Sequence, residues 1–158
     1  KDRKVPPQFT LIREDGELDD LNPMMRKIFE AMCVVQTKAI IEKTAEVGQG
    51  LALSDHEFLN AFQQDPNRYR LSFDVDDLAQ PFEMPMLTLS GRHDNNVGYP
   101  NSHTFMENFP RGTLAILDRT GHNLPIEQPV LFNALVHEWL DRVEEAIAMK
   151  LPEVTVAG

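Results

Sequence analysis

Two short apolar runs, "MLTLSG" (86–91) and "TLAILD" (113–118), constrain this chain more than any other feature. Each is too short for a helix and ends at a polar turn, as a buried strand does. Between them lie a polar loop, "RHDNNVGYPNS", and a short predicted helix, "SHTFMENFP", stopped by Pro110. After them comes "PVLFNALVHEWLDRVEEAIAMK", a long amphipathic helix with Leu131, Leu135, Trp139 (or Leu140) and Val143 on one side. Strand, helix, strand, helix predicts a parallel pair joined by a right-handed crossover. In such a unit both strands end on the same edge of the sheet, the edge where α/β proteins place their ligands.

The first half has a different character. Residues 1–20 read as extended chain or loop, because Pro6-Pro7 excludes a helix and "EDGELDD" is a turn-rich acidic stretch. A helix then starts with Asn22 as its cap and Pro23 as its first residue. Met25, Ile28, Phe29 and Met32 follow at helical spacing, and Gly48 and Gly50 mark the end. The β-branched "CVVQT" leaves open one long helix or two with a break. "LSDHEFLNAFQQDP" predicts a further helix, with Ser54 and Glu57 as a capping box and Phe58, Leu59 and Phe62 on one face. Met24, Met25, Phe29, Met32 and the Phe58/Phe62 face either line an apolar pocket or simply pack the helices together. The chain thus divides into a mainly helical region (1–80), an α/β region (81–150) and a frayed tail (151–158). It begins "KDRKVPPQF", with no initiating Met. That stretch reads like a linker inside a longer protein, so a fragment, a processed chain or a trimmed one is expected.

Composition narrows the partners. Against 15 Lys and Arg stand 25 Asp and Glu, a net charge of −10. A field of that sign repels nucleic acid and anionic lipid, which leaves small molecules and other proteins. No apolar run approaches the about 18 residues that span a bilayer, and no signal-peptide pattern is present; a cytoplasmic location is the default expectation. The single cysteine, Cys33, sits in an apolar helical context and reads as a small buried hydrophobe. His93, Asp94 and His103 can be drawn together on paper as metal ligands, but their spacing matches no zinc pattern, so neither a metal nor an organic cofactor is expected.

The two strands end alike, one running into "GRHD" and the other into "DRTGH". On neighbouring strands about 5 Å apart, Asp94 and His122 project from adjacent loops and can meet. A carboxylate bonded to one imidazole nitrogen fixes the tautomer and stabilises the imidazolium that forms when the other nitrogen takes a proton. The plainer alternative is that both are solvated or capping groups. Asp118 is the back-up acid. Glu127 reads as part of a solvated face, with orientation of the His122 loop as the alternative. His56 lies in "SDHEF" and His137 in "LVHEW", where a surface or packing role is expected.

Residues 84–143 closely resemble the C-terminal part of the α/β-hydrolase superfamily, and within it cap-bearing members such as carbon–carbon bond hydrolases, epoxide hydrolases and haloperoxidase-like esterases. The motifs that carry the resemblance are Gly91-Arg92-His93-Asp94, matching the family's G-x-x-D, and Gly121-His122, matching its G-H. The resemblance implies Asp94 as the acid and His122 as the base of a nucleophile–acid–base series, in that chain order. Residues 1–80 resemble a helical cap more loosely. The implied fold is α/β: the C-terminal part of an α/β-hydrolase fold, two parallel core strands with helices, plus a mainly helical cap. The chain departs from the family at the nucleophile. Its four serines are Ser54, Ser72, Ser90 and Ser102, and none lies between two glycines as a G-x-S-x-G elbow requires. The resemblance therefore implies that the nucleophile belongs to a partner, either the N-terminal half of the same protein or a second chain, or comes to the site through a homo-oligomer. The implied substrate is a small apolar ester or a C–C, epoxide or halide compound.

Overall fold

Two small parallel ladders organise the chain, and helices pack around each. The computed structural model describes residues 4–69, 71–75 and 77–150; the tail expected over 151–158 lies outside the described residues. The first ladder pairs β1 (Ile12–Arg13) with β2 (Val35–Gln36), Ile12 opposite Val35 and Arg13 opposite Gln36. Neither two-residue strand is legible in the sequence, because a ladder this short has no periodicity. It is pinned by the fully buried Gln36, whose Oε1 accepts from Arg13 Nε at 2.7 Å and whose Nε2 donates to the Cys33 carbonyl at 3.0 Å.

The ladder settles the question left open at "CVVQT": the helix breaks there. α1 (Pro23–Met32) is capped by Asn22, whose Oδ1 accepts from Met25 N at 2.9 Å, and it ends at Cys33 in an extended conformation. α2 (Lys38–Ala52) begins after the strand, its first amide capped by Glu14 at 2.9 Å. Gly48 and Gly50, expected to terminate the helix, lie inside it. An added Cβ would touch nothing at either, so they sit on an open face that places no demand on the backbone. α3 (His56–Gln64) is capped by Asp55, which accepts from Phe58 N at 2.9 Å, and not by the expected Ser54–Glu57 box. Its first helical residue lies one position later than that box needs. The central core of this half is Leu18, Phe29 and Cys33, with Leu21, Met32, Ile40 and Ile41 packed against them.

The second ladder is the predicted one. β3 (Met86–Gly91) and β4 (Gly112–Leu117) pair in parallel over six residues, from Met86 opposite Gly112 to Gly91 opposite Leu117. The stretch expected as a short helix before Pro110 is instead a series of turns closed by a 3-10 turn at Met106–Asn108. Local hydrogen bonds of the Thr104 type, Oγ1 to the Asn101 carbonyl at 2.8 Å, compete there with the helical pattern. A four-residue helix, α4 (Leu124–Glu127), leads into α5 (Pro129–Lys150). α5 is tied to the sheet by Trp139, whose indole N–H donates to the Pro85 carbonyl at 3.0 Å, and by Arg142, which donates to the Arg111 carbonyl and Thr113. Leu135, Trp139 and Val143 of the expected face are half-buried, while Leu131 and Leu140 are exposed.

Both strands read as buried in the sequence, and here the structure corrects the expectation: Met86–Ser90 and Gly112–Ala115 are only half-buried. Among the described residues β3 has a partner on one side only. Its apolar composition suits a strand enclosed on both edges and both faces, and this chain supplies one edge.

Candidate active site

The turn after β3 and the turn after β4 meet because glycine stands at the end of each. A Cβ on Gly91 would lie 2.0 Å from the Gly121 carbonyl oxygen, and one on Gly121 would lie 2.6 Å from that of Met32. Only hydrogen fits at either place. Arg119, with φ of 59°, reverses the chain so that Thr120 and Gly121 come back toward β3, where the Thr120 carbonyl accepts from His93 N at 3.1 Å.

Asp94 and His122 then face each other across the strand ends, with Oδ2 3.0 Å from Nδ1. The other carboxylate oxygen, Oδ1, accepts from the amides of Asn96 at 2.8 Å and Val97 at 2.9 Å, which closes an Asx turn and fixes the carboxylate plane. Burial raises the Asp94 pKa, but the Val97 amide, the His122 ring and the Asn96 amide together outweigh it and hold the carboxyl below its ordinary value. Asp94 is thus a buried carboxylate, while His122 is exposed enough to reach a second reactant. With Nδ1 engaged, Nε2 is the nitrogen left to exchange a proton. The pair borders a cleft of about 300 Å³ that is also lined by Leu89, Ser90, Val97, Leu124 and Phe132. Among the described residues, the His122 side chain hydrogen-bonds to Asp94 and to no serine hydroxyl; Ser90 Oγ lies 3.2 Å from Ser102 Oγ instead.

The other candidates separate from this pair. Asp118, the back-up acid, sits 3.1 Å from His93 Nε2, and His93 stacks on Phe9 at 4.6 Å between ring centroids. Asp118 is exposed, and the Arg119 amide and His93 lower its pKa. His103 and His137 are exposed. Among the described residues no three His, Cys, Asp or Glu side chains converge as a metal site would require. Cys33 is buried, accepts from Asn123 Nδ2 at 3.1 Å, and has its thiol pushed up to about 11 by burial. A second, larger groove of about 630 Å³ runs between α1, α2 and α4, lined by Met25, Ile28, Met32, Val47, His56 and Ile126 among others. Met25 and Met32 line it as one reading of the methionines anticipates; Phe29 belongs to the core, and Phe58 stacks on Phe62 elsewhere.

Glu127 departs furthest from its expectation. The solvated-face reading is wrong: the residue is 8% exposed. Its Oε1 accepts from the amides of Val34 (2.7 Å) and Val35 (2.9 Å), and its Oε2 accepts from the Gly121 amide (2.7 Å) and the Thr120 hydroxyl (3.2 Å). The nearest signal in the sequence is a carboxylate one turn past the glycine-histidine step, between two prolines.

This architecture, two parallel strands whose following turns carry a carboxylate and an imidazole with a helical region before them, fits part of an α/β-hydrolase fold. The solved structure of an alpha/beta superfamily hydrolase from Oenococcus oeni PSU-1 matches it with a TM-score of 0.65 at 23% sequence identity, over 90% of this chain and 52% of that one. At that identity the likeness shows the fold, and the chain spans about half the length of the structure it matches. No family model and no curated protein matches the sequence. Among the described residues no helix is long and apolar enough to cross a membrane.

Proposed function

We propose that this chain supplies the acid and base of a hydrolase whose nucleophile lies outside it. The observation that carries the reading is the 3.0 Å contact between Asp94 Oδ2 and His122 Nδ1, with Asp94 Oδ1 already held by two amides. In this reading His122 takes the proton of a serine hydroxyl at Nε2, and in a relative with an Asp nucleophile it takes the proton of water. Asp94 stays ionised and stabilises the imidazolium. The substrate is small and apolar, an ester or a C–C, epoxide or halide compound, because the groove beneath α1 and α2 offers methionine and isoleucine with few polar groups. Residues 1–80 act as its helical cap. The partner that brings the nucleophile is the N-terminal half of the same protein or a second chain.

The second reading is a ligand-binding or interaction module without catalysis. It is favoured by the same apolar groove and by the absence of a serine on His122 among the described residues. Hydrolysis of p-nitrophenyl esters separates the two. The intact protein should hydrolyse them, and His122→Ala should lose at least about four orders of magnitude in rate. Equal rates with and without His122 would leave only the binding module.

A further inference from the structure

We propose that Glu127 is a positioning residue for His122: its carboxylate locks the histidine turn onto the segment between α1 and β2 and so holds the imidazole in line with Asp94. This rests on the reading of Asp94 and His122 as acid and base. The carboxylate joins places far apart in the chain, since Val34 and Val35 stand 93 and 92 residues away from it. Each oxygen serves one side. Oε1 takes the two amides of the α1–β2 segment, and Oε2 takes the amide and hydroxyl just before His122.

The same two segments are joined again next to the histidine. The Met32 carbonyl accepts from His122 N at 2.8 Å and from Asn123 N at 3.4 Å, and on the neighbouring turn that carries Asp94 the Asn96 side chain donates to the Ala31 carbonyl at 3.4 Å. The backbone that carries the imidazole is therefore set by residues 31–35, and Glu127 fixes 34–35 and 120–121 to each other. Asp94 alone fixes only the ring nitrogen. A base must hold its geometry to within a fraction of an ångström, so a turn freed from this clamp would leave His122 poorly aligned with Asp94 even though both residues remain. Glutamine cannot substitute. It keeps one acceptor oxygen, and its NH₂ group then faces amide donors on one side or the other.

Long-range proton–nitrogen NMR of the ¹⁵N-histidine-labelled intact protein tests this. The wild type should show His122 as a single Nδ1–H tautomer, and Glu127→Gln should shift it to the averaged nitrogen shifts of a free imidazole. The indole N–H of Trp139, bonded to Pro85, reports that the fold persists. Should Glu127→Gln fail to fold, Thr120→Val removes one of the four donors and should give partial averaging. A retained Nδ1–H tautomer in the folded Gln or Val variant would overturn the proposal, since Glu127 would then only stabilise the fold. Asp94→Asn separates the two readings. If it abolishes the tautomer while Glu127→Gln keeps it, the acid–base reading stands and this one falls. If the wild type itself shows averaged shifts, both fall.

Discussion

Asp94 divides its two oxygens between two tasks, and each task can be measured. One oxygen is held by the Asn96 and Val97 amides and the other meets His122. Because its folded pKa is depressed, the charged form adds stability above the ordinary aspartate value of about 3.9, and that stability is lost as pH falls through the depressed folded value. The stability gap between wild type and Asp94→Asn in urea melts should therefore be largest above about pH 5 and narrow progressively as pH falls below about 4 toward the depressed folded value. A gap that stays constant to the acid limit would mean the carboxylate is not held. Gly91→Ala should destabilise by about 3 kcal/mol or more, the upper end for overpacking, because its Cβ would meet backbone and not a movable side chain; a neutral effect in the same melts would contradict the close approach. Gly91, Asp94, Gly121 and His122 are legible in the sequence because each follows directly from where an apolar run stops. Glu127 is not, because its meaning depends on amides more than ninety residues away.

Between residues and molecule, the elements show where local rules decide and where they do not. α1 starts as its sequence dictates, with Asn22 capping and Pro23 first. α3 starts one residue later than its sequence suggests, since "SDHE" offers two acceptors in a row and the structure uses Asp55. Asp55→Ala should cost about 1 kcal/mol in thermal or urea unfolding, and Ser54→Ala only a few tenths. The opposite order would restore the Ser54 capping box. The break after α1 is only half legible. Val34 and Val35 fit either helix or strand, and the choice is made by β1 pairing from one side and by Glu127 taking their amides from the other. The parallel pairing of β3 and β4 is legible, because a short apolar run closed by a turn has few other homes, while its register and the start of β4 at Gly112, one residue before the expected run, are not.

At the scale of the molecule, many large apolar side chains among the described residues face solvent. Among the described residues, twenty large hydrophobics are exposed, including Met24, Phe73, Val130 and Met149, against six buried ones: Leu18, Phe29, Val34, Val35, Leu117 and Leu124. Among the described residues the open edge of β3 and these side chains are the surface that the proposed partner would cover, and a net charge of −10 disfavours nucleic acid in that place. Native and denaturing mass spectrometry of the intact protein should reveal additional polypeptide of roughly a hundred residues or more, either covalent or associated; a stable lone chain near 18.0 kDa would count against it. The central claim, that Asp94 and His122 work as one unit, is tested most directly by a double-mutant cycle on ester hydrolysis by the intact protein. Asp94→Asn should lower kcat/KM by about 10⁴, His122→Ala by at least as much, and the double variant no further than His122→Ala alone. Independent, additive losses, or an Asp94→Asn enzyme as fast as wild type, would contradict it.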